Sequence, residues 1–82
     1  MMLELVKGCV VKAKAGRDKD KFFVVVDFND KEAFICDGRR RKVSKPKKKN
    51  IRHLALTSTV VSPEDMTCDK RLRLTLNKLL KV

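Results

Sequence analysis

The stretch KGCVVKAKAGRDKDKFFVVVDF, Lys7 to Phe28, places two apolar-rich segments on either side of a glycine and a basic loop. In the first segment Cys9, Val11 and Ala13 fall on one side and Val10, Lys12 and Lys14 on the other, the period of two of a half-buried strand. Gly16 ends the run. Glycine enters positive φ without steric cost, so the chain can reverse there while Arg17, Lys19 and Lys21 crowd the turn and its exit. Phe22 to Phe28 is rich in β-branched and aromatic residues and reads as the return strand of a hairpin.

Outward from the hairpin, Asn29-Asp30-Lys31-Glu32 is polar enough for a surface turn. Ala33 to Cys36 then resumes an apolar strand, and Asp37-Gly38 marks another hairpin turn. Arg41 to Ser44 is a candidate short strand, which Pro46 would end or confine to a sheet edge because proline lacks the ladder donor. Ile51 to Thr57 supplies a last strand, with Arg52, Leu54 and Leu56 facing one way. About five short strands joined by tight turns predict a mainly β fold, a small and strongly bent barrel over residues 1–58.

Residues 59–82 read as linker and C-terminal amphipathic helix, with Ser58 to Ser62 as the connecting segment. Ser62 is placed as N-cap, Pro63 at the first helical position, and Glu64 and Asp65 in the first turn, with Thr67 a second candidate cap. Leu72, Leu76, Leu79 and Leu80 share a helical face. Leu72, Leu74 and Leu76 also alternate as a strand would, but an acidic start and a basic end complement a helix dipole. The leucine stripe should dock on the barrel, since an exposed one invites aggregation; the alternative is a partner's surface.

At these residues the chain resembles the KOW family, short β modules of ribosomal proteins and transcription-elongation factors. The likeness rests on Gly8 opening the first strand, the alternating Cys9, Val11 and Ala13, the central Gly16, the bases after it, and the hydrophobic Val24 to Val26. Many members carry a further glycine about where Asp20 stands. The continuation DGRRRKVSKPKKKNIRHL, Asp37 to Leu54, is similar to small KOW-containing RNA-binding proteins related to large-subunit ribosomal proteins. The resemblance implies an SH3-like barrel whose glycine loop presses against RNA backbone.

The chain has 82 residues, a net charge of +11 and a pI near 10, which favours an anionic partner. The excess is localised. Met1 to Gly38 balances seven bases with seven acids, Arg39 to Val60 holds nine bases and no acid, and Val61 to Val82 sets five bases against three acids. Within the middle section RRRKVSKPKKK has eight bases in eleven residues: Arg39, Arg40, Arg41, Lys42, Lys45, Lys47, Lys48 and Lys49. Arginines there can fork onto phosphate oxygens while lysines act as point charges. A basic run is often only a solvated loop or a localisation signal. This one lies between strand candidates, so folding would fix its charge in space.

The second candidate contact is the glycine loop, with Lys12, Lys14, Arg17 and Lys19 around Gly16; Asp18 and Asp20 cancel some of its charge. Arg52 and His53 complete the expected RNA-binding set, and Gly16 and Gly38 are its structural turns. The chain has no Trp or Tyr, and Phe22, Phe23, Phe28 and Phe34 are assigned to the core, leaving little to stack on unpaired bases. Backbone and shape recognition of ribosomal or other structured RNA is therefore expected.

Other classes fare worse on the sequence. Cys9, Cys36, Cys68 and His53 formally make a zinc quartet, but no two lie at the short spacing of a zinc knuckle, so no metal or other cofactor is expected. Cys9 and Cys36 read instead as small buried hydrophobes. One histidine, no phosphate loop opening a helix and a small chain argue against an enzyme or a small-molecule substrate. No apolar stretch approaches the ~20 residues of a membrane span, and Met1 to Val6 is too short and too interrupted by Glu4 for a signal peptide. The odd, widely spaced cysteines suit a reducing compartment, so a cytoplasmic protein, monomeric when free, is expected. Two alternatives stand beside RNA binding. A protein-interaction module of the elongation-factor type would need exposed aromatics, and a DNA-binding protein would need a recognition helix.

Overall fold

The computed structural model describes residues 5–80, which form β1 (Cys9–Ala13), β2 (Phe22–Phe28), β3 (Glu32–Cys36), β4 (Lys47–Asn50), β5 (Leu54–Val60) and helix α1 (Asp69–Leu80). Short 3₁₀ turns lie at Ile51–His53 and Pro63–Met66. Met1 to Glu4 of the N-terminal reading and the side chain of Leu80 lie outside the described residues. The five strands make one antiparallel sheet in the order β4-β3-β2-β1-β5.

The sheet is open where a closed barrel was expected. After β4 the 3₁₀ turn, capped by the Asn50 side chain on the Arg52 N–H and held by an Ile51 N–H to Lys31 carbonyl bond, carries the chain away to β1. There β5 pairs with β1, so β4 and β5 remain the two edges. Register shifts between Cys9 and Val11 and between Val25 and Asp27 mark irregularities of the kind that bend strands.

Burial follows the predicted alternation and then exceeds it. Cys9, Val11 and Ala13 join Phe23, Val25, Ala33, Ile35 and Leu54 in one cluster. Val10, Val24 and Cys36 face the other way, where Val61, Leu72 and Leu76 cover them. The central strands are thus buried on both sides, because α1 docks on the face that half-buried strands would leave wet. The expected leucine stripe is used in part: Leu72 and Leu76 are buried, whereas Leu79 is 44% exposed.

Several local expectations change. Arg41 to Ser44 is not a strand; Asp37 begins a ten-residue connection in which its carboxylate accepts the Arg39 and Arg41 N–H groups, and the Val43 N–H turns to Asp69 Oδ1. The strand that pairs with β3 is Lys47–Asn50, whose lysines lack apolar alternation and were unreadable as a strand. β5 continues through Ser58 to Val60, shortening the expected linker. Ser62 and Pro63 start a 3₁₀ turn, Thr67 ends it, and α1 begins only at Asp69. Of the four phenylalanines assigned to the core, Phe23 is fully buried, Phe22 and Phe34 are half-buried, and Phe28 is 37% exposed at the end of β2. Among the described residues no helix is long and apolar enough to cross a membrane.

Candidate nucleic-acid interface

The β1–β2 loop turns on two residues with positive φ. Gly16 has φ +80°, as its place in the sequence required, and Asp20 has φ +70°. Aspartate tolerates this left-handed region better than most residues. The Asp20 N–H reaches the Ala13 carbonyl at 2.8 Å, and Lys21 accepts from the Ala13 N–H and donates to the Asp18 carbonyl, so hydrogen bonds close the loop at its exit.

The two acids of this loop are placed differently, Asp18 inside the fold and Asp20 at its surface. Asp18 is buried, 3% exposed, and its Oδ2 lies 2.9 Å from Lys47 Nζ and 3.7 Å from Arg41 Nη2. The Lys47 hydrogen bond holds its carboxyl below the usual carboxylate range, against the opposing effect of burial and with further help from the charges of Lys47, Arg41 and Lys49. Asp20 lies 3.8 Å from Lys12. Arg17 and Lys19 are exposed with no carboxylate within 4 Å among the described residues. The loop's charge is therefore sorted, with its buried acid turned inward and bases left outside.

Edge strand β4 explains which bases of the middle section are free. Lys47 and Lys49 lie across from Ile35 and Ala33, on the inner-cluster face, and Lys49 Nζ donates to the Ala15 carbonyl at 2.8 Å. Lys48 alternates to the other face and meets Glu32 at 3.7 Å. Lys12 also lies on that face, its ammonium 5.7 Å from the Phe22 ring centre. Of the fourteen expected contacts, Arg41, Lys47 and Lys49 thus knit the structure together, while Lys12 and Lys48 stand apart with acidic partners. Arg41 leaves its buried Nε without a partner.

Lys14, Arg17, Lys19, Arg39, Arg40, Lys42, Lys45, Arg52 and His53 are exposed. The Lys14 N–H bonds to the His53 carbonyl at 2.8 Å, which sets the 3₁₀ turn beside the glycine loop. A crevice of about 280 Å³, lined by Asp18, Lys21, Phe23, Asp37, Arg39 and Arg40, joins that loop to the β3–β4 connection. Three bases and two acids, from segments about twenty residues apart in sequence, line this one crevice. Its Lys21, Arg39 and Arg40 can hold phosphate oxygens, and its one aromatic ring, Phe23, is buried away from any base.

No protein-family model and no curated protein matches this chain.

The cysteines fill hydrophobic positions. Cys9 and Cys36 are buried in opposite clusters and Cys68 is exposed. Burial, aided by Asp37 and Asp69, pushes the Cys36 thiol up to about 12. Among the described residues no group of three metal-binding side chains gathers.

Sequence reasoning missed Lys70 and Arg73 on α1, which border the same β3–β4 connection. The structure sets Lys70 in the first turn of α1, where the dipole disfavours a cation; the sequence, read with the helix starting at Pro63, carried no such signal.

Proposed function

We propose that this protein is a non-catalytic RNA-binding protein of the KOW kind that grips the backbone of ribosomal or other structured RNA. One observation carries the reading: the acid-free section from Arg39 to Val60 folds against the glycine loop, whose acidic Asp18 is buried between them. Among the described residues no carboxylate lies within 4 Å of Arg17, Lys19, Arg40, Lys42 or Lys45, so a polyanion would gain from counterion release on meeting them. The antiparallel five-strand sheet, in which β5 returns to pair with β1, is compatible with an SH3-like ancestry. The KOW likeness of Gly8 to Leu54 supplies the ribosomal direction of the proposal.

The protein-interaction alternative is weakened at one point. The leucine face that would have served a partner is used internally in part, through Leu72 and Leu76. Leu74 and Leu79 remain exposed, which is ordinary for single surface hydrophobes.

The test is sedimentation of cell extract on a sucrose gradient at low salt. The protein should travel with ribosomal particles or their large-subunit precursors, and high salt or ribonuclease should release it. A discrete complex that survives both treatments would replace RNA with a protein partner.

A further inference from the structure

We propose that the cleft between the 38–42 connection and the first turns of α1 is a phosphate-binding site. On the RNA reading above, on which this inference rests, the phosphate is a backbone phosphodiester. The cleft has a volume of about 620 Å³ and is lined by Gly38, Arg39, Lys42, Asp69, Lys70 and Arg73. The cleft opens broadly to solvent, so a phosphate can enter it while its adjoining sugars stay at the surface.

Four bases converge there on one acid, and that acid is already engaged. Asp69 Oδ1 accepts the Val43 N–H at 2.7 Å, which pins the connection to the helix. None of Arg39, Lys42, Lys70 and Arg73 has a carboxylate within 4 Å among the described residues; Arg39 reaches only the neutral Asn77 amide, at 3.3 Å. Four cations around one carboxylate leave an excess of positive charge in the cleft, and an anion between them would offset their repulsion.

The fold builds the cleft. Gly38 is buried with φ +78°, and a side chain there would run into the Asp69 carbonyl and the Arg73 N–H. The absent Cβ lets the basic connection lie directly on α1, so bases from two distant segments face one space. Lys70 is placed against the helix dipole, a cost that an anion in the cleft would offset. The RNA surface would then continue from the glycine loop over Arg39 to the helix, making α1 part of the binding face as well as a lid on the sheet.

The test uses the full ¹⁵N-labelled chain, titrated separately with a short RNA hairpin and with inorganic phosphate, and the double variant Lys70→Ala/Arg73→Ala. The hairpin should shift the amides of Gly38, Arg39, Lys42, Lys70 and Arg73. The double variant should bind it about tenfold more weakly at low salt, with a log–log salt slope shallower by about 1 to 2. Its melting temperature should not fall, because Lys70 stands in the first turn, where losing a cation relieves the helix, and neither base has a carboxylate within 4 Å among the described residues; Lys78→Ala, at the far end of α1, should bind normally. Hairpin binding that leaves the cleft amides still and the double variant unimpaired overturns the site while leaving the RNA reading intact. A hairpin that the wild-type chain does not bind overturns the RNA reading. In that case phosphate-induced shifts at the cleft would keep the site as an anion site, and their absence would overturn it too.

Discussion

Lys47 Nζ stands 2.9 Å from Asp18 Oδ2, tying edge strand β4 to the glycine loop across the open side of the sheet. Arg41 adds a second cation to the same carboxylate, so two segments rich in bases are held together by one buried acid.

Replacing Asp18 with Asn should therefore destabilise the protein by about 2 kcal/mol at neutral pH, the scale of a lost hydrogen bond to a charged group. The carboxyl is held low by the Lys47 hydrogen bond, and its stabilisation exists above the ordinary carboxylate pKa of about 4 and disappears as pH falls through the depressed folded value. Urea denaturation of both proteins across this range should show their difference shrinking toward acid. A difference that persists unchanged at low pH would mean that the ion pair is not its source.

RNA affinity should depend on the exposed bases of the middle section more than on those bound into the fold. The Arg39→Ala/Arg40→Ala/Lys42→Ala variant, with Arg41 left intact for Asp18, should bind weakly and show a flatter salt slope, by up to about 3. Lys48→Ala, whose base already meets Glu32, should change the slope little. Fluorescence anisotropy with a structured RNA at several salt concentrations measures both, and equal effects would refute the division.

Two glycines should differ in cost although both have positive φ. At Gly16 the nearest atom to a new Cβ is the flexible Lys49 ammonium, at 3.6 Å, so Gly16→Ala should cost about 1–2 kcal/mol of backbone strain alone. At Gly38 the obstruction is the backbone of α1, so Gly38→Ala should add about 1–3 kcal/mol of overpacking and disturb helix docking. Thermal melts that rank Gly16→Ala as the worse variant would contradict this packing.

Native protein should give one fast-reacting thiol with a neutral alkylating agent, Cys68, and two that react only on unfolding. The raised Cys36 thiol stays protonated through the ordinary thiol range, so its contribution to stability is present below pH about 9 and is lost as pH rises toward about 12. Mass spectrometry of timed alkylation identifies the order; rapid Cys36 labelling at mild pH would show the cluster opening.

What could be read in the chain followed from local rules. The alternation of Cys9 to Ala13 and the β-branched run of β2 declared the central hairpin, Gly16 declared its turn, and the leucine spacing declared a helix. Lys47–Asn50 was invisible because its pairing depends on β3 and on the distant Asp18, neither of which leaves a local trace in KKKN. The role of Lys70 and Arg73 was obscured for another reason. The expected helix started at Pro63, away from these bases, and only the structure, in which α1 begins at Asp69, sets them beside the β3–β4 connection.

The sequence by itself determined a basic, mainly β chain with its charge excess in one section, since composition and period survive any arrangement in space. Only the tertiary structure decided that the sheet stays open, that Val10, Val24 and Cys36 are covered by α1, and that Asp18 holds two basic segments together. The physical reason is range. Periodicity and turn chemistry act over a few residues, whereas the Asp18–Lys47 pair and the Gly38–α1 contact join positions about thirty residues apart, and their energies exist only once the backbone has brought them together.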